Sequence, residues 1–247
     1  MRILSSQDIE SISRTILRKY LNLKNNQGKV FDRIEPETLA RQLYGIEFEF
    51  RYLSRQGAIL GITSFDEVGI DVWDKNWEPE LFFLDRSTAL IDIALQDEAQ
   101  RGRRNFTMMH ETAHLIFQIL FPEDYGMRYR RPPLRYHLST DGYGGKITDW
   151  EEWQANTLAS YLLLPRELVL RTMIGAGFSS GIKLLNRKFA RKDFDRFEEM
   201  SLQLGVSKQA LAIRMKQLGL LERNQLKDPN ELINICVEDQ EWQMLQM

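Results

Sequence analysis

Two of the three histidines in this 247-residue chain stand four residues apart, within "FTMMHETAHLIFQILF". His110, Glu111 and His114 spell H-E-x-x-H. On a helix, residues at i and i+4 lie on one face, one turn apart. His110 and His114 can therefore aim two imidazole nitrogens at one point. Zinc accepts histidine nitrogen, and catalytic zinc sites take three protein ligands. Glu111, next to the first histidine, is placed to act as general base toward an attacking water. Met109, Ala113, Ile116, Phe117 and Leu120 give the same helix an apolar stripe that buries it. The cofactor this pattern implies is Zn2+.

A third ligand must come from elsewhere in the chain. His137, the remaining histidine, lies in a long loop, a less rigid place for a ligand than a helix. The next strong helical segment, "DWEEWQANTLASYLLLP", begins with two acids, Glu151 and Glu152. Thr148 and Glu151 form a T-x-x-E capping box, which gives Glu151 a structural task. Glu152 instead aligns with Ala155, Asn156, Ala159 and Leu163. The small alanines allow another helix to approach, and a carboxylate pointing into that contact needs a partner or a metal. Glu152 is thus the expected third ligand, with Asn156 supporting the ligands from behind. His137 or Tyr136, from the loop, are candidates to stabilise the oxyanion.

The surrounding elements read as an α+β fold. Ser5 and Asp8 start a first helix, and "PETLARQLYG" forms a second, short one ended by Gly45. "IEFEFRYL" alternates strictly, and "GAILGITSF", "VGIDVWD" and "ALIDIAL" follow as further strand candidates. Their short connections predict a small, mostly antiparallel sheet of about three to five strands. That sheet is expected to pack with a zincin-like H-E-x-x-H helix and a second ligand helix. Residues 122–147 read as a long loop, and the remaining third as helical. The predicted division is a metallopeptidase domain over 1–165 and a helical region over 166–247.

Bulk properties narrow the field further. A single cysteine, Cys236, excludes an internal disulfide and a Cys-rich zinc site. The formal net charge of −2 offers no global basic field for nucleic acid or a membrane. Charged residues interrupt every apolar run of the first segment, so neither a signal peptide nor a membrane span is expected, and the localisation they suggest is cytoplasmic.

Three blocks, in this order, resemble the ImmA/IrrE family of metallopeptidases. They are "GRRNFTMMHETAHLIF", "EWQANTLASYLLLP" and "LGVSKQALAIRMKQLGLL". The resemblance implies a zinc site of His110, His114 and Glu152 with Glu111 as catalytic base. It also implies a substrate, a helix-turn-helix repressor whose cleavage relieves repression, as in induction of mobile elements or stress responses. Ala113 stands where the family usually has Gly, Leu158 where Phe is common, and the loop between the ligand helices is longer. None of these departures removes a ligand or the base.

The third block also has the grammar of a helix-turn-helix over about 194–221, with Gly205 and Val206 in the turn and Ser207 as cap. Ser207, Lys208, Gln209 and Arg214 are its candidate contacts to nucleic acid or substrate. DNA binding is the less favoured use, because phosphate contacts need a clear basic face. The rival to a zinc endopeptidase is a non-catalytic regulator that binds DNA or protein through a metallopeptidase-like scaffold.

Overall fold

The computed structural model describes residues 3–64, 66–125, 134–138 and 150–230. The chain divides into two compact units, Met1–Pro165 and Arg166–Met247. The architecture is α+β, with small, mostly antiparallel sheets.

In the first unit, α1 (Ser6–Leu21) starts on the expected capping box. Ser5 Oγ accepts the Asp8 N–H, and Asp8 Oδ2 accepts the Ser5 N–H at 2.9 Å. Next comes α2 (Pro36–Tyr44), which has proline in its first turn and stops at Gly45, whose φ of 68° suits a left-handed cap. The strands β1 (Glu47–Arg51), β2 (Ile59–Ser64), β3 (Val68–Trp73), β4 (Pro79–Leu84) and β5 (Thr88–Asp92) follow. The last strand of this unit is β6 (Leu134–Leu138). The main sheet has the order β1-β5-β2-β6, and β3 pairs with β4 as a separate hairpin.

The sheets of this unit are mostly antiparallel, as expected, with β1 and β5 as a parallel pair. Two strand expectations need correction. β4 is not among the strand candidates: the four apolar residues that end "PELFFL" show no alternation to read. Residues 122–147 are not one loop, since they contain the short helix α4 (Pro122–Tyr125) and the strand β6. β6 adds to the sheet by backbone pairing with β2, a signal absent from its local sequence.

The central helix is α3 (Arg101–Leu120), which packs on α2, β2, β5 and α5 (Trp150–Leu163). It ends where Pro122 forbids further helical bonding. From Thr107 to Phe117 every residue is buried, polar ones included. The α5 face includes fully buried Ala155, Leu158 and Ala159. Leu4 N–H also donates to Gln154 Oε1 at 2.8 Å, tying the N-terminal segment to α5.

The second unit contains α6 (Arg166–Gly175), β7 (Ile182–Leu185), α7 (Arg191–Leu204), α8 (Lys208–Gln217) and β8 (Leu221–Asn224). It is therefore not purely helical: β7 and β8 form a parallel pair, with α7 and α8 as the crossover. Both strands are four residues long, too short for periodicity to reveal. Phe197, Met200, Leu211 and Met215 are buried in this unit. Among the described residues, no helix is long and apolar enough to cross a membrane.

Candidate metal centre

The helical spacing does to His110 and His114 what the geometry of a turn requires. Their rings lie edge to face, with centroids 4.7 Å apart, and their Nε2 atoms are 3.0 Å apart. α5 brings Glu152 to the same point. Glu152 Oε2 lies 3.2 Å from His110 Nε2, and Oε1 lies 3.3 Å from His114 Nε2. The three side chains can each present one ligand atom within 4.8 Å of the others. Around a tetrahedral ion at about 2.0–2.1 Å, ligand atoms stand roughly 3.3 Å apart. The Nε2–Nε2 separation of 3.0 Å and the nearest imidazole–carboxylate separations of 3.2 and 3.3 Å are close to that spacing.

The donor chemistry matches too. His110 Nδ1 lies 3.1 Å from Asn156 Oδ1. An amide oxygen only accepts, so Nδ1 carries the proton and Nε2 keeps its lone pair for the cluster. Burial holds the His110 imidazole below its ordinary range, against the pull of Glu152, which keeps it neutral as a ligand must be. Burial also opposes ionisation of Glu152. The imidazoles of His110 and His114 beside it outweigh that effect and hold its carboxyl well below the usual carboxylate range. Two imidazoles and a carboxylate converging in a largely buried space fit a divalent cation.

Glu111 is the other half of the site. It is fully buried, and neither carboxylate oxygen has a hydrogen-bond partner among the described residues. Burial pushes its carboxyl well above the usual range, and the Glu152 charge pushes the same way. The Thr63 hydroxyl lies near enough to oppose this rise but not in proper hydrogen-bond geometry. A buried carboxyl without partners costs stability wherever it does no work. Against it stands Gly61 of β2: a Cβ there would lie 2.5 Å from Glu111 Oε1 and 2.9 Å from Cδ. Gly61 and Thr63 are not among the site residues expected from the sequence. An isolated glycine inside a strand pattern was the available signal, since it marks close approach by another group.

Other candidates fare differently. Glu151 is 3% exposed, and its proposed capping partner Thr148 lies outside the described residues. His137 and Tyr136 sit in β6 opposite Gly61 and Ile62, and their side chains lie outside what is described. The loop sequence "YRRPPLR" is described only at Leu134 and Arg135, as strand backbone, and Cys236 lies outside the described residues. In the second unit, Ser207 caps α8 by accepting the Ala210 N–H at 3.1 Å. Lys208 is ion-paired with Glu198 and lies 5.7 Å from the Phe194 ring centroid. Gln209 is exposed. Arg214 must be corrected: at 2% exposure its side chain is part of the interior and is not offered to a phosphate. Leu211, Ala212 and Met215 on the same helix are buried with it.

A helix-borne pair of histidines, a carboxylate from a neighbouring helix and a buried adjacent acid together make a site that could hold a metal ion. Residues 66–173 match the family model of the IrrE N-terminal-like domain of M78 peptidases, so this segment is similar to that domain. The matched segment contains His110, Glu111, His114, Glu152 and Asn156. No curated protein matches the chain.

Proposed function

We propose that the chain is a zinc-dependent endopeptidase whose substrate is a cognate helix-turn-helix repressor, cut so that repression is relieved. The observation that carries the peptidase reading is the convergence of His110, His114 and Glu152 beside the buried carboxyl of Glu111. The choice of substrate rests on the resemblance to the ImmA/IrrE family. In this reading His110, His114 and Glu152 hold the ion.

When bound, zinc supplies Lewis acidity that polarises the scissile carbonyl and makes water more acidic. Glu111 takes a proton from the attacking water as the new C–O bond forms. It then delivers that proton to the departing amide nitrogen as the C–N bond breaks, which returns Glu111 to its starting state. The low-dielectric surroundings of Glu111 raise its proton affinity, which suits a group that must accept a proton and then give it up. Asn156 keeps His110 in the tautomer that faces the ion.

The deciding experiment compares wild type, Glu152→Ala and Glu111→Gln. Zinc per chain is measured by elemental analysis, and cleavage is scored on helix-turn-helix repressors encoded nearby. The expected result is about one zinc in wild type and Glu111→Gln, and much less in Glu152→Ala. Only wild type should cleave. Cleavage by Glu111→Gln at the wild-type rate, or zinc retained without Glu152, defeats the reading.

A further inference from the structure

We infer that Gly61 is a positioning residue for Glu111: with Thr63 it forms a socket on β2 that holds the carboxylate and stays open only while position 61 lacks a side chain. The inference rests on Glu111 being the base. It concerns a residue ahead of the segment matched by the family model.

Glycine is a poor choice inside a strand unless something requires it. Two reasons are available, conformation and space. The first does not apply, because Gly61 is not among the residues with positive φ. The second applies directly. An added Cβ would sit 2.5, 2.9 and 3.0 Å from Oε1, Cδ and Cγ of Glu111. Because Cγ and Cδ are met as well as Oε1, rotating the carboxylate alone does not clear the space.

The backbones on either side are fixed. β2 lies between β5 and β6, and Gly61 is paired across to Ile91 and to His137. β2 also shifts register against β6 between Ile59 and Gly61, so Leu60 is the extra residue of a bulge. Bulges re-aim the residues beside them, and this one stands directly before Gly61. On the opposite side, α3 is held by its packing on α2 and α5. The movable part is therefore the Glu111 side chain. Thr63, two residues along and on the same face, is fully buried and forms the second wall. Ile62, between them, packs into a different cluster with Ile70, Val72 and Leu84.

A thermal denaturation cycle on the full chain tests this without any substrate, using Gly61→Ala, Glu111→Ala and the double variant. Gly61→Ala is expected to lower Tm in the wild-type background. In the Glu111→Ala background the same change should cost at least about 2–4 °C less, because the obstructing side chain is gone. Equal cost in both backgrounds overturns the socket. Should Gly61→Ala fail to fold, the double variant is expected to fold, and its failure also overturns the inference.

Positioning is then read separately from structure. With zinc loaded, and a peptide selected from a random quenched-fluorescent library, Gly61→Ala should keep wild-type zinc content and KM. It should lose at least about tenfold in kcat, as expected when a base is displaced. Unchanged kcat overturns the positioning role. Strong Tm coupling together with a fully active Glu111→Gln would refute the peptidase reading and leave the socket standing. Absent coupling with an inactive Glu111→Gln would do the reverse.

Discussion

The amide of Asn156 decides which nitrogen of His110 faces the cluster. Its Oδ1 accepts from Nδ1, and only then does Nε2 stand 3.2 Å from Glu152 with a lone pair available. Asn156→Ala removes that control while leaving all three ligands in place. Zinc affinity, measured by competition with a chromophoric chelator, is expected to fall about 10–100-fold, with Tm of the metal-free protein little changed. An unchanged affinity would mean that helix packing alone orients the ring. Glu111 shows a different residue-scale principle. Its buried carboxyl, without a hydrogen-bond partner among the described residues, is unfavourable for stability, and under the proposed function it is the group that moves the proton, a local conflict of the kind expected at functional sites.

Among the elements, the approach of α3 and α5 matters most, because it carries Glu152 to the histidines. Ala155 and Ala159 are fully buried on α5 and permit that approach. Ala159→Leu overpacks the contact and is expected to cost about 1–3 kcal/mol. It should also lower zinc content, because α5 must move away. Phe197→Leu, in the buried interior of the second unit, should lower Tm and leave zinc content intact. Equal zinc in both variants would argue that Glu152 reaches the histidines independently of helix spacing.

Asp92 makes a second element-scale link. It ends β5, and its carboxylate accepts from the N–H of Leu53 at 3.2 Å and of Ala94 at 3.0 Å. Burial raises its pKa in the folded protein, against the opposing effect of these bonds. Its contribution to stability is therefore fully present below the unfolded value of about 3.9 and is lost as pH rises through the folded value. Asp92→Asn removes that dependence. The stability of wild type relative to the variant, measured by urea denaturation, should decline as pH rises above about 4. A relative stability that grows with pH would contradict the sign.

For the whole molecule, all the donor atoms lie in the first unit, Met1–Pro165. Binding that favours only the folded state raises stability by about 2.7 kcal/mol at a ligand concentration 100 times Kd. Calorimetry should show zinc raising the melting transition of this unit, chelation reversing the rise, and Glu152→Ala abolishing it. The second unit has its own apolar interior, and its burial of Arg214 and pairing of Lys208 with Glu198 leave α8 with few free cations. That weakens the case for phosphate contacts through α8.

Features governed by neighbours a few residues apart were readable in the chain itself. The capping box of α1, the glycine stop of α2 and the proline stop after α3 follow from local bonding. The shared face of His110 and His114, and the alignment of Glu152 with Asn156, follow from the direction of Cβ atoms on a helix. Other features depend on partners far along the chain. The parallel pairing of β1 with β5, the strands β6, β7 and β8, and the burial of Arg214 leave no periodic trace in short segments. The meeting of Glu152 with the two histidines required α5 to pack on α3, and the opening that Gly61 leaves for Glu111 required β2 to lie against that same helix. Spacing along one helix determined which residues were able to hold a metal. Packing between elements determined how Glu152 meets them and where Glu111 has room to stand, because those distances are set by tertiary contacts that local sequence does not encode.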